Sequence, residues 1–117
     1  MDQYKPDELK EMKVGEKSST VVTEIKDGSM GEFMSDGYWA NTKIEADKIP
    51  EAKLKRAIEV ETANGAKMVI SLPPGDEVNP KSNLGLWKKT YGDYPKKGQN
   101  VSTKIDDNGF NKIVLEK

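Results

Sequence analysis

Two alternating apolar segments, each folding back on an Asn-Gly pair, with one capped amphipathic stretch between them, constrain this chain more than any other feature. The first pair of runs is AIEVET and AKMVISL around Asn64-Gly65. Period-two alternation puts Ile58 and Val60 on one face and Met68, Ile70 and Leu72 on the matching face across the turn. Glu59, Glu61, Lys67, Val69 and Ser71 then point the other way. The Asn-Gly dipeptide suits a type I′ turn, although Ala63 and Ala66 leave room for a wider loop. The second pair is VSTKI and FNKIVL around Asp106-Asp107-Asn108-Gly109. An earlier β-branched run, 18–26, ends at the turn signal Asp27-Gly28 and reads as strand one. Between the hairpins, Pro73-Pro74-Gly75 stops the third strand and Asn79-Pro80 opens a helix over 79–92, with Asn79 as N-cap and Pro80 in its first turn. Leu84, Trp87 and Tyr91 form its apolar stripe, Gly92 closes it in a left-handed conformation and Pro95 prevents its resumption. Gly85 in its middle costs about 1 kcal/mol of helix propensity, which suggests a close backbone approach to the sheet. The chain is therefore mainly β, all-β apart from one helix, with five strands and the helix between strands three and four.

At 117 residues the sequence fits one domain that buries roughly 65% of its unfolded surface. The expected division is a tail over 1–16 and a single domain over 17–117. Residues 28–50 are the least patterned part: glycines surround Phe33, Tyr38 and Trp39, and 38–46 has room for a short sixth or edge strand. With 19 basic and 20 acidic residues the net charge is −1, so any attraction to polyanions must come from local segregation. Such segregation exists over 81–104, where six lysines face Asp93 alone; a solvated helix face accounts for most of it.

The chain has no cysteine and no histidine. Disulfides, thiolate metal sites, the commonest zinc ligands and the usual general base near neutral pH are all excluded. Asp106, Asp107 and Asn108 lack the ligand spacing and distal Glu of a calcium loop and are explained by turn chemistry. Asp27, Asp76 and Glu77 could serve acid-base work, but nothing in the sequence brings two such carboxylates together. No phosphate-binding glycine motif or nucleophile elbow is present. No enzyme, cofactor or metal site is expected. The polar, acidic start lacks the pattern of a signal peptide, and no apolar run reaches the ~20 residues that span a bilayer, so the expected address is the cytoplasm, without membrane attachment.

The order of these elements resembles the OB-fold, a five-stranded Greek-key barrel with its helix between strands three and four. SLPPG, the helix NPKSNLGLWKKTYG, the basic turn YPKKGQNV and the closing DDNGFNKIVL, together within 56–115, are similar to small single-domain barrels of archaea and their mobile elements. The resemblance implies a binding groove over strands two and three, flanked by the loops joining strands one to two and four to five. It implies single-stranded DNA or RNA as ligand. This chain departs from the best-known single-strand binders in having no ring on the outward face of its central hairpin, where bases usually stack for about 1 to 3 kcal/mol each. Rings must come from the 33–39 region or from Phe110. Because neighbouring residues of a strand face opposite ways, Trp39 is assigned to packing and Tyr38 to the surface, while Trp87 and Tyr91 are assigned to the barrel interior.

The expectation is a non-enzymatic binder of single-stranded nucleic acid acting through Tyr38, Trp39, Lys43, Lys53, Lys55, Arg56, Lys67, Phe110 and Lys112. Lysines neutralise phosphates and release counterions while one or two rings stack bases. The rival is a protein-interaction or assembly module, favoured by the near-zero net charge and by Glu59 with Glu61 on the expected groove.

Overall fold

A computed structural model describes residues 14–116. Five strands and four short helices follow in the order β1 (Lys17–Ser29), α1 (Met30–Phe33), α2 (Asp36–Ala40), α3 (Ile49–Lys53), β2 (Arg56–Thr62), β3 (Lys67–Ser71), α4 (Asn83–Tyr91), β4 (Asn100–Ile105) and β5 (Asn111–Ile113), with a 3₁₀ turn at Ala46–Lys48 before α3. All pairings are antiparallel and the strand order is β3-β2-β1-β4-β5. The two end strands approach each other, so the sheet forms a nearly closed barrel.

Closure depends on β1, which is long enough to serve both halves. Its first residues pair with β4 (Lys17 opposite Lys104, Val21 opposite Asn100) and its last with β2 (Ile25 opposite Val60, Ser29 opposite Arg56). A register shift between Val22 and Glu24 marks the change, and such a bulge bends the strand and sharpens its twist. The strand runs past Asp27-Gly28, which sequence analysis takes as its end. Gly28 pairs with Ala57 inside the ladder, and the chain turns only at Ser29, whose side chain and backbone exchange hydrogen bonds with Glu32 in a capping box. At the other end, Gly15 N–H donates to Ile105 O, so the sheet contacts already begin within the expected 1–16 tail; residues 1–13 lie outside the described part.

Both hairpins turn where expected, but not by type I′ geometry. Asn64 does not take a positive φ; only Gly65 and Gly109 do, at 88° and 84°. In each loop the first residue donates its N–H to the carbonyl four residues on (Thr62 to Ala66, Asp106 to Phe110), and the glycine donates back to that first residue. A side-chain oxygen, of Thr62 or of Asp106, takes the remaining N–H. These are three-residue loops with glycine at the left-handed position, which frees the Asn side chain for other work. Asn64 uses it to tie the seam: it accepts from buried Thr62 Oγ1 at 2.6 Å and donates to buried Thr103 Oγ1 at 2.9 Å. Asn64→Ala leaves the Thr103 hydroxyl without this partner, and a loss of about 1 to 3 kcal/mol is expected by urea denaturation; an unchanged midpoint would remove Asn64 from the closure.

One core cluster gathers Val22 from β1, Ile58 and Val60 from β2, Ile70 from β3, Val101 from β4, Ile113 from β5 and Leu84 with Trp87 from α4. The parity assigned from sequence to Ile58, Val60 and Ile70 is the buried one. Tyr91 packs at the edge of the cluster, where its hydroxyl donates to Val114 O and accepts from Ser102 N–H. Burial, helped by the charge of Glu116, raises the pKa of that hydroxyl above the usual tyrosine value, against the opposing effect of the Ser102 hydrogen bond.

The start of α4 corrects the expected cap. Ser82, not Asn79, is the N-cap and accepts from Gly85 N–H, while Asn79 and Pro80 form a separate turn in which Asn79 Oδ1 accepts from Lys81 N–H. Asn and Ser compete for the same role, and the Ser three residues later leaves Asn79 free to cap the turn. The close approach inferred at Gly85 is real but has a different neighbour. A Cβ there would collide with the carbonyl of Asn79 and lie 2.7 Å from Pro80 Cα, not against the sheet. Gly85→Ala is expected to destabilise by about 1 to 3 kcal/mol despite its better helix propensity, as read from the urea midpoint.

Candidate nucleic-acid interface

The β1–β2–β3 ladder sets out its outward face row by row. Glu24, Glu61 and Lys67 form one row, Lys26, Glu59 and Val69 the next, and Gly28, Ala57 and Ser71 the last. The floor of this face is thus mixed in charge, with Glu24 directly opposite Glu61. Lys26 and Glu24 are missing from the sequence-based candidates because strand one was given no register there. Their place one residue either side of Ile25, whose side chain faces inward, is the signal that places them outward.

The last row is covered. Ala57 points outward yet is fully buried, because the 30–55 excursion folds over it. Met30 N–H donates to Lys55 O at 2.8 Å and closes the neck of that excursion. No strand forms within 38–46: Ser35 caps a helical turn that carries Tyr38 and Trp39, with Asn41 at its end. The local reason is the Ser-Asp-Gly start, which caps a helix better than it enters a ladder. Trp39 is 6% exposed and Tyr38 38%, their rings edge to face at 5.0 Å. Both line a cavity of about 210 Å³ with Met30, Ile44, Ala52, Lys55 and Ser71, the last from the outward side of β3. Trp39 therefore packs outside the barrel core, between the excursion and the sheet, and its Nε1 is buried without an acceptor.

The nine candidate residues fall into two groups at opposite ends of β2 and β3. Lys53, Lys55 and Arg56 lie with Tyr38 and Trp39 at the end where the excursion joins β2; Lys53 Nζ stands 5.8 Å from the Trp39 ring centre. Lys43 is exposed in the same excursion, between α2 and the 3₁₀ turn. Lys67 begins β3 at the other end, where Asn64 reaches Thr103 and Asn111. Phe110 and Lys112 enter β5 at that end, with Phe110 63% exposed and Lys112 Nζ 5.9 Å from its ring centre. The floor row of Lys26, Glu59 and Val69 lies between the groups. Of the candidate rings Tyr38, Trp39 and Phe110, only Trp39 is buried.

Charge in the 81–104 segment is partly committed elsewhere. Lys96 pairs with Asp93 at 2.9 Å and holds that carboxyl below its usual pKa, and Lys88 Nζ lies 4.8 Å from the Tyr94 ring centre. Among the described residues no group of three or more His, Cys, Asp or Glu is arranged to hold a metal ion, and no helix is long and apolar enough to cross a membrane. No protein-family model, curated protein or solved structure matches the chain.

Proposed function

We propose that the protein is an OB-type barrel that binds single-stranded DNA or RNA across the outward face of β1, β2 and β3, without catalysing a reaction. The observation that carries this reading is the division of cations and accessible rings between the two ends of β2 and β3, Tyr38 with Lys53, Lys55 and Arg56 near one end and Lys67, Phe110 and Lys112 near the other. The strand order β3-β2-β1-β4-β5, a bulged β1 shared by both halves and a helix between β3 and β4 agree with the OB arrangement, whose groove lies between the connections joining strands one to two and four to five. In this reading the lips hold phosphates and Phe110 and Tyr38 stack bases, while Trp39 supports Tyr38 from below. Carboxylates on the floor keep the affinity modest, while the contacts of lysine and arginine with phosphates make it strongly salt-dependent.

Titration of labelled oligo-dT and oligo-U at low salt is expected to give binding at millimolar or lower concentration, weakening steeply as salt rises. Phe110→Ala should weaken it by the value of about one stacked base, roughly 1 to 3 kcal/mol. Absence of binding at low salt to both oligonucleotides would sink the proposal.

A second reading, a protein-docking module, is favoured by one observation. Leu54 is 78% exposed and, with Ile44 and Ala52, lines an open cleft of about 520 Å³ on the excursion. Retention of a protein partner after nuclease treatment, with Leu54→Ser abolishing it and no oligonucleotide binding, would favour this reading instead.

A further inference from the structure

The other half of the barrel carries a charge arrangement that the chain order hides. Lys17 of β1 stands directly opposite Lys104 of β4, and Lys104 directly opposite Lys112 of β5, so three lysines form one row across three adjacent strands. All three are exposed, and among the described residues none of them is in an ion pair. Neighbouring strands are about 4.8 Å apart, so the three lysine side chains leave the sheet within about 10 Å of one another. Like charges directly opposite one another on a sheet face oppose folding. The next row along the same face is Ser19 opposite Ser102, which supplies hydroxyl donors behind the lysines. Phe110, two residues before Lys112, presents its exposed ring at the β5 end of the row. Carboxylates border the row without pairing with it: Asp106, which accepts from the N–H groups of Asn108 and Phe110, and Asp107 line one cleft with Lys104 and Lys112, and Glu116 lines another with Lys17.

We infer that Lys112, Lys104 and Lys17 form a phosphate track that carries a single strand past the Phe110 lip and around the barrel onto the β1–β4–β5 face. The inference rests on the proposed function, because Phe110 and Lys112 belong to both the lip and the track. It adds a length dependence: a short strand is held by the β1–β2–β3 face alone, and a longer one gains the track.

The test compares the wild type with Lys17→Gln/Lys104→Gln/Lys112→Gln, using labelled single strands of about 6 and about 20 nucleotides over a salt series, the first near the short end of the usual reach of one barrel and the second beyond it. For the longer strand the variant is expected to lose about tenfold or more in affinity at low salt. Its slope of log affinity against log salt should fall by about 2, from three contacts at about 0.7 each. The short strand should be affected several-fold less, and the urea midpoint should hold or rise, since repulsion is relieved. If the wild type binds the longer strand and the variant matches it in affinity and slope, or if both lengths lose equally, the track is refuted while the barrel remains a binder. If the wild type binds neither strand, the proposed function itself fails and the track with it.

Discussion

Trp87→Ala is expected to remove about 3 to 5 kcal/mol of stability, a large part of the 5 to 15 kcal/mol that holds an ordinary domain together. Trp87 is fully buried, and it is the largest side chain in the cluster that joins α4 to the strands. Its indole Nε1 donates to Gln99 Oε1 at 3.0 Å, and its ring lies 5.1 Å from that of Tyr91. Truncation therefore opens a cavity bounded by several strands and also removes one partner of a buried amide. Gln99 keeps the Lys96 N–H as donor to its oxygen and Asp93 O as acceptor for its nitrogen, so the cavity dominates the loss. Trp87→Phe should cost less, because most of the volume stays and only the Gln99 bond is lost. Far-UV circular dichroism during urea denaturation measures both without depending on the removed fluorophore. A Trp87→Ala midpoint equal to that of the wild type would mean that α4 does not hold the barrel together.

Replacing Glu59 and Glu61 together by Gln is expected to tighten oligonucleotide binding by about tenfold or more, while Lys53→Gln/Lys55→Gln/Arg56→Gln weakens it by a similar factor. The reasoning is Coulombic. A surface charge about 4 Å from a phosphate is worth roughly 1 kcal/mol in water and more where the ligand displaces solvent, and about 1.4 kcal/mol is tenfold in affinity. The two carboxylates sit on the floor between the lips, with Glu61 opposite Glu24 on one side and Lys67 on the other, and Glu59 opposite Lys26 and Val69. Neutralising them leaves Lys26 and Lys67 to act on the ligand. Fluorescence anisotropy at several salt concentrations reads both changes. Should neither set of substitutions alter binding in a protein that binds, the strand does not cross this face.

How much of this was legible beforehand differs from one segment to the next. The facing of each side chain in the second and third strands could be assigned, though not their ends or their turn type, because alternation around a glycine turn specifies which side of a sheet each side chain takes, and a slip by one would expose Ile58, Val60 and Ile70 together. The helix stripe of Leu84, Trp87 and Tyr91 was equally visible. Its cap was not, because Asn79 and Ser82 are both good caps and the choice depends on how the 79–82 turn packs on Gly85. The 30–55 excursion was read least well. Its residues make short helical turns that no periodicity over so few positions reveals, and their burial comes from lying over Ala57 and Ser71.

Sequence alone determined the number and order of the five strands, the positions of both hairpins, the parity of the central strands and the absence of thiol and imidazole chemistry, since all of these depend on residue type and on neighbours close along the chain. Only the tertiary structure decided that Trp39 packs between the excursion and the sheet and not in the barrel core, that Asn64 ties the seam through Thr103, and that Lys17, Lys104 and Lys112 share one row. Except for Lys104 and Lys112, which face each other across one hairpin, those contacts join residues tens of positions apart, and their partners follow from strand register and barrel closure, which no local pattern in the chain encodes.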